Sequence, residues 1–200
     1  MHMIEVAEML KVFQEHRRDA IVVPGQAGRH WTAISKRPEL DVPLLPYPAM
    51  GGGASFALGL ALAQPDRKVI VFDSEGALVM YLGILTTVAE QQPKNFYHFL
   101  LDNECYATTG GQPVPNAKAT HYDALARDVG YASTFAFDRM EAFATSIERI
   151  LSAPAPAFIA LKVRPEIQNV PVGERKPWAT RTREQVRDDL KRALSVGKGR

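Results

Sequence analysis

Two hundred residues, 46% of them apolar and 23% charged, suffice for one domain with a substantial core, and this balance excludes disordered and fibrous chains. A formal net charge of +2 is too small to argue for nucleic acid. The single cysteine, Cys105, excludes an intrachain disulfide, a multi-cysteine zinc site and a cysteine-ligated iron–sulfur cluster, so the expected setting is reducing and cytoplasmic.

The opening segment MHMIEVAEMLKVFQEHRRDA is charged throughout and lacks the apolar stretch of a signal peptide. Residues 3–16 place Met3, Ile4, Ala7, Leu10 and Phe13 at helical spacing, and DAIVVPG follows as a short β-branched run closed by Pro24 and Gly25. Helix, then strand, is the prediction. VPLLPYPAMGGGAS has loop chemistry and runs into FALGLALAQPD, a small-residue helix ended by Pro65. The longest apolar stretch, ASFALGLALA, is too short to span a bilayer, so no membrane association is expected. KVIVFD predicts a buried parallel strand, ALVMYLGILTTVAEQQ a mostly buried helix and NFYHFLLDN another strand. HYDALARDVG and RMEAFATSIERILSAP predict helices, STFAF and AFIALKV strands. In GERKPWATRTREQVRDDLKRALSVGKGR the basic residues are interrupted by Glu184, Asp188 and Asp189 within helical reach of Arg187 and Lys191, which predicts a solvated terminal helix with a basic tail. Alternating strand and helix predicts an α/β fold: a doubly wound, mainly parallel sheet with helices on both faces, in a single domain over 1–200.

In such sheets ligands collect outside the carboxyl ends of the strands. Two acidic endings fall there, DSEG after one strand and LDNE after another. They are either solvated polar turns or the oxygen-rich donors that a hard divalent cation requires. MGGGAS, before a helix, is either an anion cradle or a tight packing turn; Phe56 stands where a dinucleotide fingerprint has its third glycine.

The segment between those endings resembles the thiamine-diphosphate motif, GDG followed some two dozen residues later by NN or DN. Here Ser74-Glu75-Gly76 precedes 25 residues (77–101) and then Asp102-Asn103. LGILTTVAEQQPKNFYHFLLDNECYATTGGQ is similar to the stretch of the sulfopyruvate and phosphonopyruvate decarboxylases in which an LGEL-type helix, PKN, a strand, LDN, a tyrosine and TGGQ occur in order. YPAMGGGASFALGLAL resembles that family's GSMG-x-ASS-x-ALGLAL stretch, and HYDALARDVGY, APAFIALKV and the terminal segment match its later helix, last strand and C-terminal arm. The resemblance covers roughly residues 20–195 and implies the thiamine-diphosphate-binding fold, with 165–200 as a C-terminal arm and helix.

The resemblance implies thiamine diphosphate and Mg2+ as cofactors. The matching metal ligands are the Glu75 carboxylate, the Asn103 side-chain oxygen and the backbone carbonyl of Cys105, with the amides of Gly76 and Ala77 facing phosphate. It assigns Met50 as the apolar wedge that bends the cofactor so that its 4′ nitrogen can take the C2 proton, and Pro48 as the carbonyl two residues earlier. Gly51 and Tyr106 complete the cofactor-binding set. Glu75 stands where the family has aspartate, Ser74 where it has glycine, and Ala77 where a phosphate-binding serine is common; Asp73 could reach the ion instead. The glutamate that activates the cofactor belongs to a pyrimidine-binding domain for which this chain has no room. The resemblance therefore implies the β-type subunit of a heteromeric 2-oxoacid decarboxylase, needing an α-type pyrimidine-domain partner, in a dimer or higher oligomer, acting on a small 2-oxoacid. His30 and Gln112 are candidate catalytic residues, with Thr108 and Thr109 beside the latter; their bland readings are a surface histidine and a mobile loop. His98 and His121 read as structural. Two other classes stay open: a non-catalytic scaffold or regulatory subunit that keeps the fold, and, on fold analogy alone, a flavodoxin-like nucleotide binder.

Overall fold

Side chains along the central strands alternate between two separate apolar clusters, so those strands are covered on both sides. The computed structural model describes residues 3–44, 50–175 and 178–195. In chain order the elements are α1 (Val6–His16), β1 (Ile21–Val23), α2 (Gly28–Ile34), α3 (Gly53–Ala63), β2 (Val69–Ser74), α4 (Glu75–Met80), α5 (Ile84–Gln91), β3 (Phe96–Asp102), β4 (Cys105–Tyr106), β5 (Gln112–Pro113), α6 (Tyr122–Val129), β6 (Ser133–Phe137), α7 (Met140–Ser152), β7 (Ala157–Lys162) and α8 (Arg183–Ser195).

The main sheet is five-stranded and parallel throughout, in the order β1-β2-β3-β7-β6, while β4 and β5 form a small antiparallel hairpin. Right-handed crossovers explain where the helices lie. Steps from β1 to β2, β2 to β3 and β3 to β6 all advance in one direction and put α3, α5 and α6 on one face; the single return step, from β6 to β7, puts α7 on the other with α1 and α2. Ile70, Phe72, Phe99 and Ile159 point into the α1–α2–α7 face, where Phe13, Trp31, Phe72 and Phe99 pack edge to face or tilted at centroid distances of 5.0–5.9 Å. Val69, Val71, Leu100 and Phe158 point into the opposite face, which α8 caps with Val186.

Two expectations need correction. GRHWTAI, to which the sequence assigns no element, is α2, held by the burial of Trp31 in the aromatic cluster. The helix expected over ALVMYLGILTTVAEQQ is two helices, α4 and α5, separated at Tyr81-Leu82-Gly83. Nor is it mostly buried at that break, where Met80 and Tyr81 are more than half exposed. Among the described residues no helix is long and apolar enough to cross a membrane. Pro48 lies outside the described residues.

Candidate cofactor and metal site

β2 and β3 are neighbours in register, Ser74 opposite Leu101, so their carboxyl ends bring Glu75 and Asn103 to one place. Ser74 is the N-cap of α4, its Oγ accepting the Ala77 N–H at 3.2 Å. The Ala77 amide, expected to face phosphate, is thus occupied by Ser74. Glu75 is fully buried, and its Oε2 accepts the Asn103 N–H at 3.2 Å, so the longer side chain reaches from one strand end to the other. Its Oε1 is buried with no hydrogen-bond partner. Burial raises the Glu75 carboxyl to about 7, against the pull of the Asn103 amide and with further upward pressure from Asp102. Asn103 Oδ1 in turn accepts the Cys105 N–H at 2.9 Å. Burial pushes the Cys105 thiol up, and Glu75 and Glu104 push it further, which keeps it protonated and leaves its backbone as the useful donor.

A cation fits this arrangement. An acceptor oxygen without a donor, buried at a strand end beside an amide side chain and a turning backbone, is an unmet demand for positive charge, and the three oxygens are of the type a hard divalent ion takes. Among the described residues no group of three His, Cys, Asp or Glu side chains could hold a metal, and this donor set, with one carboxylate, needs none.

The turn after β3 is stiffened from β7. Lys162 Nζ lies 2.8 Å from Asp102 Oδ2 and 2.9 Å from Glu104 Oε1, and Asp102 Oδ1 accepts the Glu104 N–H at 3.3 Å. Those contacts hold Glu104 at φ +65°, a left-handed conformation that a side chain rarely adopts. Burial raises the Asp102 carboxyl, against the opposing effect of Lys162; burial lowers the Lys162 ammonium, but its two carboxylates outweigh that and raise it.

Glycines admit an aromatic ring at each end of α4. A Cβ on Gly76 would stand 2.9 Å from the Tyr106 ring, and one on Gly51, at φ +81°, only 2.0 Å from the Tyr81 ring. Gly76, Tyr106, Glu75, Asn103 and Cys105 are therefore brought together, and Met50 with Gly51 forms the half-buried turn before α3. Asp73, considered as a possible ligand, is engaged within the sheet: it is buried, its Oδ1 accepts the Ser74 N–H at 2.9 Å and its Oδ2 is 3.4 Å from His98 Nε2.

His30 is not joined to this cluster by any described hydrogen bond or ion pair. It sits on α2, with Nε2 2.8 Å from Glu166 Oε2, sharing that carboxylate with Arg29. Gln112 is exposed on β5, its Oε1 accepting from Thr109 Oγ1 at 3.1 Å. The hairpin carrying it is strapped by the C-terminal arm: Gln168 N–H donates to Ala107 O at 2.8 Å, Arg175 Nη2 to Thr108 O at 2.6 Å, and Ile167 packs where a Cβ on Gly111 would be. Sequence reasoning missed Lys162, Tyr81 and Tyr122. The Tyr122 hydroxyl is buried without a hydrogen-bond partner, and burial, then Asp102 and Glu75, hold the phenol above its usual range. A tyrosine at the polar start of an amphipathic helix was the available signal.

Residues 27–161 match the family described as thiamine pyrophosphate enzyme, C-terminal TPP binding domain. The chain is 40% identical over 125 residues to the sulfopyruvate decarboxylase subunit beta of Methanothermobacter thermautotrophicus, an alignment covering 62% of this chain and 63% of that relative. With the sulfopyruvate decarboxylase subunit beta of Methanococcus maripaludis it shares 31% identity over 166 residues, 82% of this chain and 86% of the relative. With the phosphonopyruvate decarboxylase of Streptomyces viridochromogenes it shares 32% over 162 residues, 80% of this chain but 40% of that one. The chain thus spans less than two thirds of the Methanothermobacter subunit and less than half of the Streptomyces enzyme. A solved structure of a putative thiamin diphosphate-dependent enzyme from Mycobacterium smegmatis has the same fold, with a TM-score of 0.64 at 18% identity over 81% of this chain and 32% of that chain.

Proposed function

The chain belongs to the thiamine pyrophosphate enzyme family, matching its C-terminal TPP-binding domain, and on that premise we propose that it is the diphosphate- and Mg2+-binding subunit of a heteromeric 2-oxoacid decarboxylase. The substrate is a small acidic 2-oxoacid of the sulfopyruvate or phosphonopyruvate kind, as the names of its relatives suggest. The observation that carries this reading is the convergence of the orphaned Glu75 Oε1, Asn103 and the Cys105 backbone at the carboxyl ends of adjacent strands.

In this reading Glu75 Oε1, Asn103 Oδ1 and the Cys105 carbonyl hold the cation. Bound thiamine diphosphate supplies the electron sink for loss of carbon dioxide from the 2-oxoacid. This chain's residues hold and exclude. Gly76 leaves the space that Tyr106 fills, Met50 and Gly51 form the turn before α3, and the strapped hairpin with Thr108, Thr109 and Gln112 follows the Asp102–Cys105 turn in the chain. Ser74 fixes the start of α4.

An α-type partner carrying the pyrimidine-binding domain completes the site. Its support here is an uncovered apolar surface. GASFALGLALA of α3 has no charged residue on any side, which suits a helix buried all round, yet Phe56 and Leu62 are exposed. Tyr81, standing on Gly51 just before α3, joins them to the exposed Met80 and Leu82. The lone, half-buried Cys105 suits a cytoplasmic setting. Calorimetric titration with thiamine diphosphate and MgCl2, on the chain alone and on its complex with the pyrimidine-domain subunit, tests the reading together with 2-oxoacid-dependent release of carbon dioxide by the complex. Absence of heat in both arms overturns it; heat without decarboxylation leaves a scaffold or regulatory subunit.

A further inference from the structure

We propose that Tyr131, His98 and Asp73 form a positioning chain that fixes where the Glu75 carboxylate leaves β2; the inference rests on Glu75 being a ligand of the metal–diphosphate site. His98 is fully buried at the centre of β3, and Asp73 and Tyr131 are almost so. His98 Nε2 is 3.4 Å from Asp73 Oδ2, and its Nδ1 is 3.4 Å from the Tyr131 hydroxyl. His98 Nε2 and Asp73 Oδ2 are both buried without a hydrogen-bond partner and face each other, so an imidazole carrying its proton on Nε2 turns that proton toward Asp73 while Nδ1 accepts from Tyr131. Phe158 and Phe96, edge to face with the imidazole at centroid distances of 4.9 and 5.9 Å, hold the ring in that plane.

As a stabilising network this is poor. Contacts of 3.4 Å are longer than good hydrogen bonds, and a buried polar set of this kind is commonly matched or bettered by apolar residues of the same volume. Its location gives it another use. Asp73 Oδ1 accepts the Ser74 N–H at 2.9 Å, and Ser74 Oγ accepts the Ala77 N–H at 3.2 Å. The chain therefore runs from Tyr131, at the entry to β6, through β3 and β2 to the first turn of α4, where Glu75 is the first residue. A glutamate has one more rotatable bond than an aspartate, so its backbone origin must be held more firmly for its oxygens to stay in place. Without the His98 contact, Asp73 can rotate, the Ser74 amide loses its acceptor and the start of α4 can slide.

The test compares His98→Leu, which breaks the chain at similar volume, with Phe158→Leu, which disturbs the same packing but removes no polar link. Hydrogen exchange on the unloaded chain reads the positioning directly. Amides 74–77 should exchange faster in His98→Leu than in Phe158→Leu when the two are brought to equal global stability. Mg2+-dependent binding of thiamine diphosphate to the complex should weaken roughly tenfold in His98→Leu, the range for residues that orient a metal ligand, and stay within about twofold in Phe158→Leu. Asp73→Asn, which keeps an acceptor for Ser74, should retain most of the affinity. Equal exchange at 74–77 in the two leucine variants overturns the positioning chain, as does wild-type affinity in His98→Leu. A wild-type complex that binds no cofactor overturns the function proposed for Glu75, while the exchange comparison still decides whether the chain positions it.

Discussion

Glu75 is one methylene longer than the aspartate its position calls for, and the structure uses that length to span the gap to the Asn103 amide. The cost is a buried carboxyl raised to about 7 from an ordinary value of 4.5. Below pH 4.5 folded and unfolded chains both carry the proton; between 4.5 and 7 the unfolded chain loses it first, so stability falls as pH rises across that window and levels above it. The loss amounts to about 3 kcal/mol in the unloaded chain. Glu75→Gln, which cannot ionise, should therefore be close to wild type at pH 5 and clearly more stable at pH 8. Urea unfolding at both values checks this, and a wild-type-to-variant difference independent of pH would contradict it. Tyr122 makes a parallel case without charge. Its hydroxyl is buried and unpartnered, so Tyr122→Phe should stabilise the unloaded chain by about 1 kcal/mol, the order of a desolvated polar group relieved. Thermal unfolding decides it: a lowered midpoint would mean the hydroxyl has an acceptor after all.

Strands β2 and β3 were legible because their side chains are nearly all buried, and burial on two faces leaves a run such as KVIVFD with no polar alternation to confuse with a helix. From that alone DSEG and LDNE fall at the carboxyl ends of strands, and the structure makes those ends adjacent. Helix α2 was not legible: GRHWTAI has no sustained apolar period, and its reason for folding lies in Phe13 and Phe72, which enclose Trp31, and in Gly28, where a Cβ would stand 2.4 Å from the Trp178 ring. The break between α4 and α5 was hidden because Met80, Tyr81 and Leu82 continue an apolar pattern while facing outward. Lys162 was missed for a third reason, its partners lying about sixty residues earlier in the chain. It joins the end of β7 to the turn after β3. Lys162→Met should cost about 2 kcal/mol, less than a fully buried pair because the ammonium is about one-third exposed, since it leaves the buried Asp102 without a cation. Chemical denaturation measures the loss, and restoration by Asp102→Asn in the same chain would assign it to that charge. An undiminished stability in Lys162→Met would show that Glu104 and solvent suffice.

What the chain buries by itself and what it leaves open point to an assembly. Its two cores close around the sheet, yet α3, which carries no charge, keeps Phe56 and Leu62 in solvent beside Met80, Tyr81 and Leu82. Exposed apolar side chains of this size are candidates for a covered surface, and Tyr81 packs on Gly51 in the turn before α3. Folding energy and assembly energy should consequently separate by mutation. Met80→Glu with Leu82→Glu changes two side chains that are 54% and 40% exposed, so the unfolding free energy of the isolated chain should shift by less than about 0.5 kcal/mol. In the proposed assembly the same charges would be buried without partners, and co-elution with the proposed pyrimidine-domain subunit should be lost together with the cofactor heat measured on the complex. Light scattering on the separated fractions reads the first and calorimetry the second. A double variant that assembles as well as wild type would move the interface to another face; one that assembles but binds no cofactor would place these side chains at the site and not at the partner.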